Sequence, residues 1–260
     1  MDYRFSLAGL LVGTFVGLSG VGGSALLAPV LILLLGVKPS IAIGTDLLYS
    51  VPTKILALVL HARQKTVDWT VTGHLLAGGI PGGLAGLGVY ALLQRSIPES
   101  ALQPILRHAI GIAILIACAG AAVLWFRRGT DRTAAEPADD VRTPLSAAMT
   151  MLTGAIVGIL VAITSVGSGS VTLPLLILLF PRILLRRLIG SEIAFAAFLV
   201  PLAAAGHVAF GNTNWPIVLS LVIGSLPGVW LGSALCRVTG DGWLRPVILG
   251  VLAFAGSRLM

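Results

Sequence analysis

The 260-residue chain has little charge. Acidic and basic residues together make up 10% of it, ten acids against seventeen bases, where soluble domains carry about 25%. So little polar surface excludes a soluble enzyme, a nucleic-acid-binding domain and a disordered chain. Cysteine is nearly absent: Cys118 and Cys236 each stand alone among apolar residues. They suggest neither a disulfide framework nor a metal site, only small packing roles. There is no His-Glu-x-x-His, no Gly-x-Ser-x-Gly and no histidine pair at metal-ligand spacing. No metal, no cofactor and no enzymatic activity are therefore expected. No cleavable leader is expected either, because Met1-Asp-Tyr-Arg is only weakly basic and no small-residue cleavage site follows it.

What the chain has is apolar sequence. Hydrophobic residues make up 57% of it and the mean hydropathy is +1.01, against about 45–50% apolar residues in soluble domains. This is the composition of an all-α, polytopic membrane protein. The net charge of +7 fits basic cytoplasmic loops rather than a nucleic-acid partner.

Six stretches have the length of about 20 residues that a crossing needs: Ile41–His61, Thr70–Gln94, Ala101–Phe126, Leu188–Gly211, Trp215–Cys236 and Trp243–Met260. Trp69, Trp125, Trp215 and Trp243 stand at their ends, as interfacial tryptophans do. Arg127–Pro144 is polar and divides the chain into a first membrane unit (1–126), a cytoplasmic linker (127–144) and a second unit (145–260).

Two further stretches, Phe5–Leu35 and Leu145–Phe180, are too long for one straight crossing and too short for two. Each is interrupted by small residues, Ser19–Ser24 and Thr164–Ser170, with Pro29 or Pro174 shortly after. Each is either one broken helix or a re-entrant hairpin that dips halfway and returns. The bases arbitrate. With single crossings, eight bases fall on each side. With two hairpins, five fall on one side (Arg4, Lys38, Arg95, Arg107, Arg258) and eleven on the other. The positive-inside rule prefers the second count. Both termini are then outside, and each half keeps three full crossings in opposite orientation.

The halves also repeat. An offset of 145 aligns Val21–Pro29 with Val166–Pro174. An offset of 146 then aligns Gly44-Thr45-Asp46 with Gly190-Ser191-Glu192, His61 with His207, Trp69 with Trp215 and Pro81-Gly82 with Pro227-Gly228. Apolar chance gives matching leucines but not these rarer residues in one register. Duplicated, inverted halves with interrupted helices follow the plan of a secondary transporter, whose site lies near mid-membrane between the repeats.

Gly13-Thr-Phe-Val-Gly17-Leu-Ser-Gly20-Val-Gly22-Gly23, the following Gly44-Thr-Asp46 and the repeat layout resemble the sulfite exporter TauE/SafE family of membrane transporters. The likeness covers nearly the whole chain apart from the linker. The second half departs from the glycine pattern with Ser168 and Ser170. The resemblance implies transport of small sulfur anions such as sulfite, sulfonates or sulfoacetate, chiefly as an exporter in a bacterial inner membrane.

The residues themselves suggest where such an anion would sit. A hairpin turning at a glycine-rich tip presents a helix N-terminus, with free N–H groups and partial positive charge, inside the membrane. Ser19, Gly20, Gly22, Gly23 and Ser24 form one tip; Ser165, Gly167, Ser168, Gly169 and Ser170 form the other. Glycine admits an anion close to the backbone and serine adds donors. Close helix packing is the competing role of such residues, and their recurrence at equivalent interruptions favours the anion. Asp46 and Glu192 are the only acids inside the spans. A carboxylate there is costly, and either couples protons or accepts structural hydrogen bonds. Thr45, Ser191, Lys54, His61 and His207 are secondary candidates. Lys54 has no repeat counterpart, since Val200 takes its place; it either attracts the anion or snorkels toward an interface and its lipid headgroups, and snorkelling is the expectation. His61 and His207, at helix ends near Trp69 and Trp215, are expected as interface residues rather than proton carriers.

The expected function is a secondary transporter of small sulfur oxyanions, with protons a candidate partner. A passive anion channel and a carrier of a small carboxylate are the alternatives on the same scaffold. Lipid and a second copy of the chain complete the candidate partners.

Overall fold

The computed structural model describes residues 3–19, 24–126, 144–181, 183–236 and 241–260, without the side chains of 16–19, 24, 123–126, 233–236 and 241–248. Among the described residues the regular elements are all helical. They are α1 (Tyr3–Ser19), α2 (Ser24–Pro29, continued by a π-helical turn over Val30–Leu34), α3 (Pro39–Arg63), α4 (Trp69–Ser96) and α5 (Glu99–Phe126) in the first half. The second half holds α6 (Pro144–Thr164), α7 (Thr172–Leu179), α8 (Leu185–Ala209), α9 (Trp215–Cys236) and α10 (Asp241–Leu259). Of the linker only Pro144, which opens α6, is described.

Among the described residues, six helices are long and apolar enough to cross a membrane: Pro39–Arg63, Trp69–Ser96, Glu99–Ala122, Pro144–Thr164, Leu185–Ala209 and Trp215–Gly232. Five coincide with spans read from the sequence. The sixth is α6, the first arm of the interrupted stretch Leu145–Phe180. With 21 residues it is about 32 Å long, twice what a dip to mid-membrane requires. Its partner α7 has eight residues, about 12 Å, so the two arms are unequal.

Local chemistry sets the helix starts. Asp68 Oδ1 accepts from the N–H groups of Thr70 (3.0 Å) and Val71 (3.3 Å) and caps α4. Asn214 Oδ1 accepts from Ile217 N–H at 3.2 Å and does the same for α9. Lys65 (φ 54°) and Gly211 (φ 73°) turn the chain before these caps. Asp68 and Asn214, like Lys65 and Gly211, are 146 residues apart.

Lipid offers helices no hydrophobic reason to associate, so close backbone approach has to hold them together. Here glycines provide it. On α1, a Cβ at Gly9 would lie 2.5 Å from the Leu221 carbonyl oxygen of α9, and one at Gly13 2.6 Å from that of Ser225. On α6, Gly154 meets Leu75 and Gly158 meets Gly79 of α4 in the same way. From the other partners, Gly224 and Gly228 press on Ser6 and Leu10, while Gly78 and Gly82 press on Met151 and Ala155. Contacts advance in step along each pair, so α1 runs parallel to α9 and α4 parallel to α6. Gly44 of α3 meets the Asn212 backbone just after α8, and Gly190 of α8 meets that of Thr66 just after α3. Those two helices are therefore antiparallel.

The helix ends gather into two groups. At one, Lys38 pairs with Glu99 at 2.7 Å, Asn214 N–H donates to Thr45 Oγ1 at 3.4 Å, and Arg107 donates to the Arg258 carbonyl at 2.9 Å. At the other, Asp68 N–H donates to Ser191 Oγ at 2.9 Å, which brings Arg63 and Lys65 alongside Arg186 and Arg187.

These contacts make a specific prediction for detergent-solubilised protein. Gly78→Ala or Gly154→Ala forces backbones apart and costs about 1–3 kcal/mol, seen as a lowered melting temperature. Gly88→Ala, facing open space, leaves melting unchanged or raises it.

Candidate functional site

The interruption after α6 is built from side chains that replace helical hydrogen bonds. Thr164 Oγ1 donates to the Leu160 carbonyl at 2.7 Å and accepts from Val166 N–H at 3.2 Å, diverting the backbone from the helix. Ser165 then takes φ 61° and Gly167 φ 122°. The glycine is needed at its position, while the serine bears strain of about 1–2 kcal/mol. The chain re-enters a helix when Thr172 Oγ1 donates to the Gly167 carbonyl at 3.0 Å, a carbonyl also reached by Thr172 N–H at 3.2 Å. Every residue from Thr164 to Thr172 is buried.

Three charged side chains surround this loop, one pair of them meeting across the halves. Asp46 of α3, 1% exposed, accepts at Oδ2 from Ser165 Oγ at 2.7 Å. Glu192 of α8 stands beside Gly169, where a Cβ would lie 3.3 Å from its Oε1. Lys54, further along α3, approaches Glu192 Oε1 with its Nζ at 3.6 Å, both side chains being buried. That separation is an ion pair without a hydrogen bond.

Asp46 Oδ1, Ser168 Oγ, Ser170 Oγ and Glu192 Oε1 are sealed from solvent and have no hydrogen-bond partner. A buried polar atom left so costs about 1–3 kcal/mol, and native proteins hold few of them. Four here line one loop and the acids beside it. Two free hydroxyl donors and an ammonium suit the oxygens of an anion; two carboxylates suit protons.

Of the first tip, Gly20, Gly22 and Gly23 lie outside the described residues, as do the side chains of Ser19 and Ser24, whose backbones end α1 and open α2. The second tip is described in full, and Ser165, Gly167, Ser168, Gly169 and Ser170 come together with Asp46 and Glu192. Thr45 and Ser191 are fully buried, but their hydroxyls are engaged by the connecting segments at Asn214 and Asp68. Ser191 also donates to the Arg187 carbonyl at 2.8 Å. His61 sits half-buried at the end of α3, with Nδ1 2.8 Å from Thr66 Oγ1.

Two expectations are corrected. Lys54 does not snorkel: its helix presents it to α8, and Glu192 holds it inside. His207 stands near the end of α8 but faces the protein interior rather than lipid headgroups. It is 0% exposed, with Nε2 2.8 Å from the Ala162 carbonyl and its ring edge-on to Tyr90 at 4.6 Å. The fastening residues Thr66, Asp68, Asn212 and Asn214 escape notice in the sequence because their identities change between halves. The recurring polar-Trp pairs Asp68-Trp69 and Asn214-Trp215 are the signal that marks them. Among the described residues no group of three histidine, cysteine or acidic side chains can hold a metal.

The comparisons bear on this geometry. Residues 5–259 match the family model described as "Sulfite exporter TauE/SafE". The chain is similar to the "Probable membrane transporter protein YjnA" of Bacillus subtilis, 34% identical with both chains covered in full. It is also similar to the "Probable membrane transporter protein YunE" of the same organism, 27% identical over 97% of this chain and 94% of the relative. A Xylella fastidiosa relative named "Probable membrane transporter protein" is 27% identical over 95% and 90% of the two chains. No solved structure matches the chain.

The hydrogen bonds separate structural serines from idle ones. Ser165→Ala strands the buried Asp46 carboxylate and lowers stability by about 2 kcal/mol. Ser168→Ala and Ser170→Ala remove buried hydroxyls that bond to nothing and leave stability unchanged or raise it by up to about 1–3 kcal/mol. Thermal unfolding in detergent of the three variants measures the contrast.

Proposed function

The chain belongs to the sulfite exporter TauE/SafE family of membrane transporters, and from that premise we propose that it carries small sulfur oxyanions (sulfite, sulfonates or sulfoacetate) outward across the cell membrane by alternating access. The observation that carries this reading is the buried loop Ser165–Ser170, with unbonded Ser168 and Ser170 hydroxyls beside Asp46, Glu192 and Lys54. An anion bound there satisfies donors that nothing else satisfies. Asp46 and Glu192 couple the anion to protons, because a carboxylate that takes up a proton enters the low-dielectric interior uncharged.

Alternating access requires two halves of opposite orientation, and the packing supports that reading. Adding 145 or 146 to each residue of the α1–α9 contacts, or subtracting it, yields the α4–α6 contacts: Gly9 on Leu221 becomes Gly154 on Leu75, and Gly78 on Met151 becomes Gly224 on Ser6. Since α1 parallels α9, and α9 starts where α3 starts, α1 and α3 run the same way and the chain between them turns back. The same holds for α6 and α8. These directions support reading both interrupted stretches as hairpins, with long outgoing arms rather than shallow dips. Arg107 beside Arg258, and Arg63 and Lys65 beside Arg186 and Arg187, agree with the uneven count of bases. The end holding Arg63 and Arg186 faces the cytoplasm, and both termini face outside. In a two-membrane bacterium the protein resides in the inner membrane.

Two measurements test these statements. Purified protein in liposomes is expected to move sulfite or sulfoacetate saturably and to accumulate it under an imposed pH gradient. Flux that never becomes concentrative identifies a passive anion channel, and flux of acetate alone discards the sulfur assignment. For the orientation, a single cysteine replacing Lys38 in a cysteine-free background is expected to react with a membrane-impermeant maleimide in intact cells. One replacing Lys65 is expected to react only after permeabilisation. Equal labelling of both overturns the hairpin topology.

A further inference from the structure

We propose that Lys54 is the receptor for the anion and that the Glu192 carboxylate is its built-in competitor, holding the ammonium until substrate displaces it. The proposal rests on the transport reading above and names the residue on which that site depends. Lys54 and Glu192 have side chains 10% and 7% exposed, and their 3.6 Å separation forgoes the charge-assisted hydrogen bond such a pair would make at about 2.7–2.9 Å. Glu192 is the ion-pair partner of Lys54, whose charge also acts on Asp46, and Glu192 Oε1 has no hydrogen bond of its own. The pair is buried and yet loosely made. Ser168 and Ser170, on either side of the Gly169 that touches Glu192, hold hydroxyls that donate to nothing. An oxyanion reaching Lys54 would meet these donors together.

The charge sum makes the competition obligatory. With both acids ionised, Asp46, Glu192 and Lys54 total −1, and a bound monoanion would bring a buried cluster to −2. Buried charge without compensation is prohibitive. A proton on Glu192 removes the rival for Lys54 and leaves ammonium and anion as a neutral pair, so anion and proton enter together. Asp46 stays held by Ser165. The other titratable side chains on helices packed against this pair include Tyr49 on α3 itself, about one turn from Asp46, Tyr90 and His74 on α4, and Cys118 on α5. His207 lies fifteen residues beyond Glu192 on α8, about 22 Å along the helix.

Lys54 also breaks the repeat. Val200 occupies the equivalent position of the second half, so the duplication supplies two acids and one ammonium. One anion per chain is the stoichiometry this implies.

The test is calorimetric titration of the purified full chain at several pH values with ethanesulfonate, a monoanion throughout, and with sulfite beside it. The wild type is expected to bind one anion per chain, more tightly as pH falls. Glu192→Gln should tighten binding at neutral pH by about tenfold, one competing charge interaction being worth about 1.4 kcal/mol, and should flatten the pH dependence. Lys54→Met should weaken binding at least about tenfold, and Lys54→Arg should retain it. If Lys54→Met fails to fold because Glu192 is left unpaired, the double variant Lys54→Met/Glu192→Gln removes both charges and should fold without binding. Wild-type binding that survives the loss of Lys54, that is no tighter in Glu192→Gln, or that reaches two anions per chain overturns the role of Lys54 alone. A wild type that binds neither anion overturns the transport reading as well.

Discussion

The bilayer core cannot hydrogen-bond a peptide group, and this one constraint governs the rest of the structure. Backbone that leaves the helix inside a membrane must be surrounded by protein. The loop between α6 and α7 meets that demand: Thr164 and Thr172 make bonds to backbone groups that the helix no longer pairs, while Asp46 of α3 holds the Ser165 hydroxyl and Glu192 of α8 stands beside Gly169. The glycines of α4 and α6 follow from the same need, because two backbones in contact leave lipid no path to the loop. The polar atoms left over then stand out, since nearly every other buried hydroxyl on the helices returns to a backbone carbonyl. Thr150, Thr153 and Ser220 do so at 2.7–2.8 Å.

Much of this was legible in the sequence because membranes enforce simple rules. Span length, tryptophans at span ends and a polar linker are consequences of bilayer thickness and interface chemistry, and five of the six helices of crossing length were read from them. The interruption at Thr164–Ser170 and the acids Asp46 and Glu192 were legible for a related reason: small and charged residues are conspicuous in apolar sequence. The inward facing of Lys54 and His207 was not legible, because sequence gives depth along a helix but not which neighbour the side chain faces. A lysine on the lipid side snorkels, whereas the same lysine turned by one residue meets α8. Whether α6 is a dip or a long arm was also beyond the sequence, since length alone fits both.

The fastenings at Thr45, Ser191, Asp68 and Asn214 teach a further point about repeats. Threonine stands opposite serine and aspartate opposite asparagine, so the hydrogen bonds survive while the letters change. Duplication preserves geometry longer than identity. A substitution that keeps the acceptor keeps the contact, and one that removes it loosens a connecting segment on the other half.

The paired glycine contacts carry a thermodynamic consequence. Since each contact of α1 with α9 has a twin between α4 and α6, a motion that loosens one set while tightening the other exchanges nearly equal energies. The two extremes of such a motion are close to degenerate, and neither needs an external source of work to be visited. Degeneracy is broken where the twins differ, and the sharpest difference among the buried residues is a lysine opposite a valine. The duplication evens out the paired contacts, and one unduplicated charge is where the two halves cease to be interchangeable.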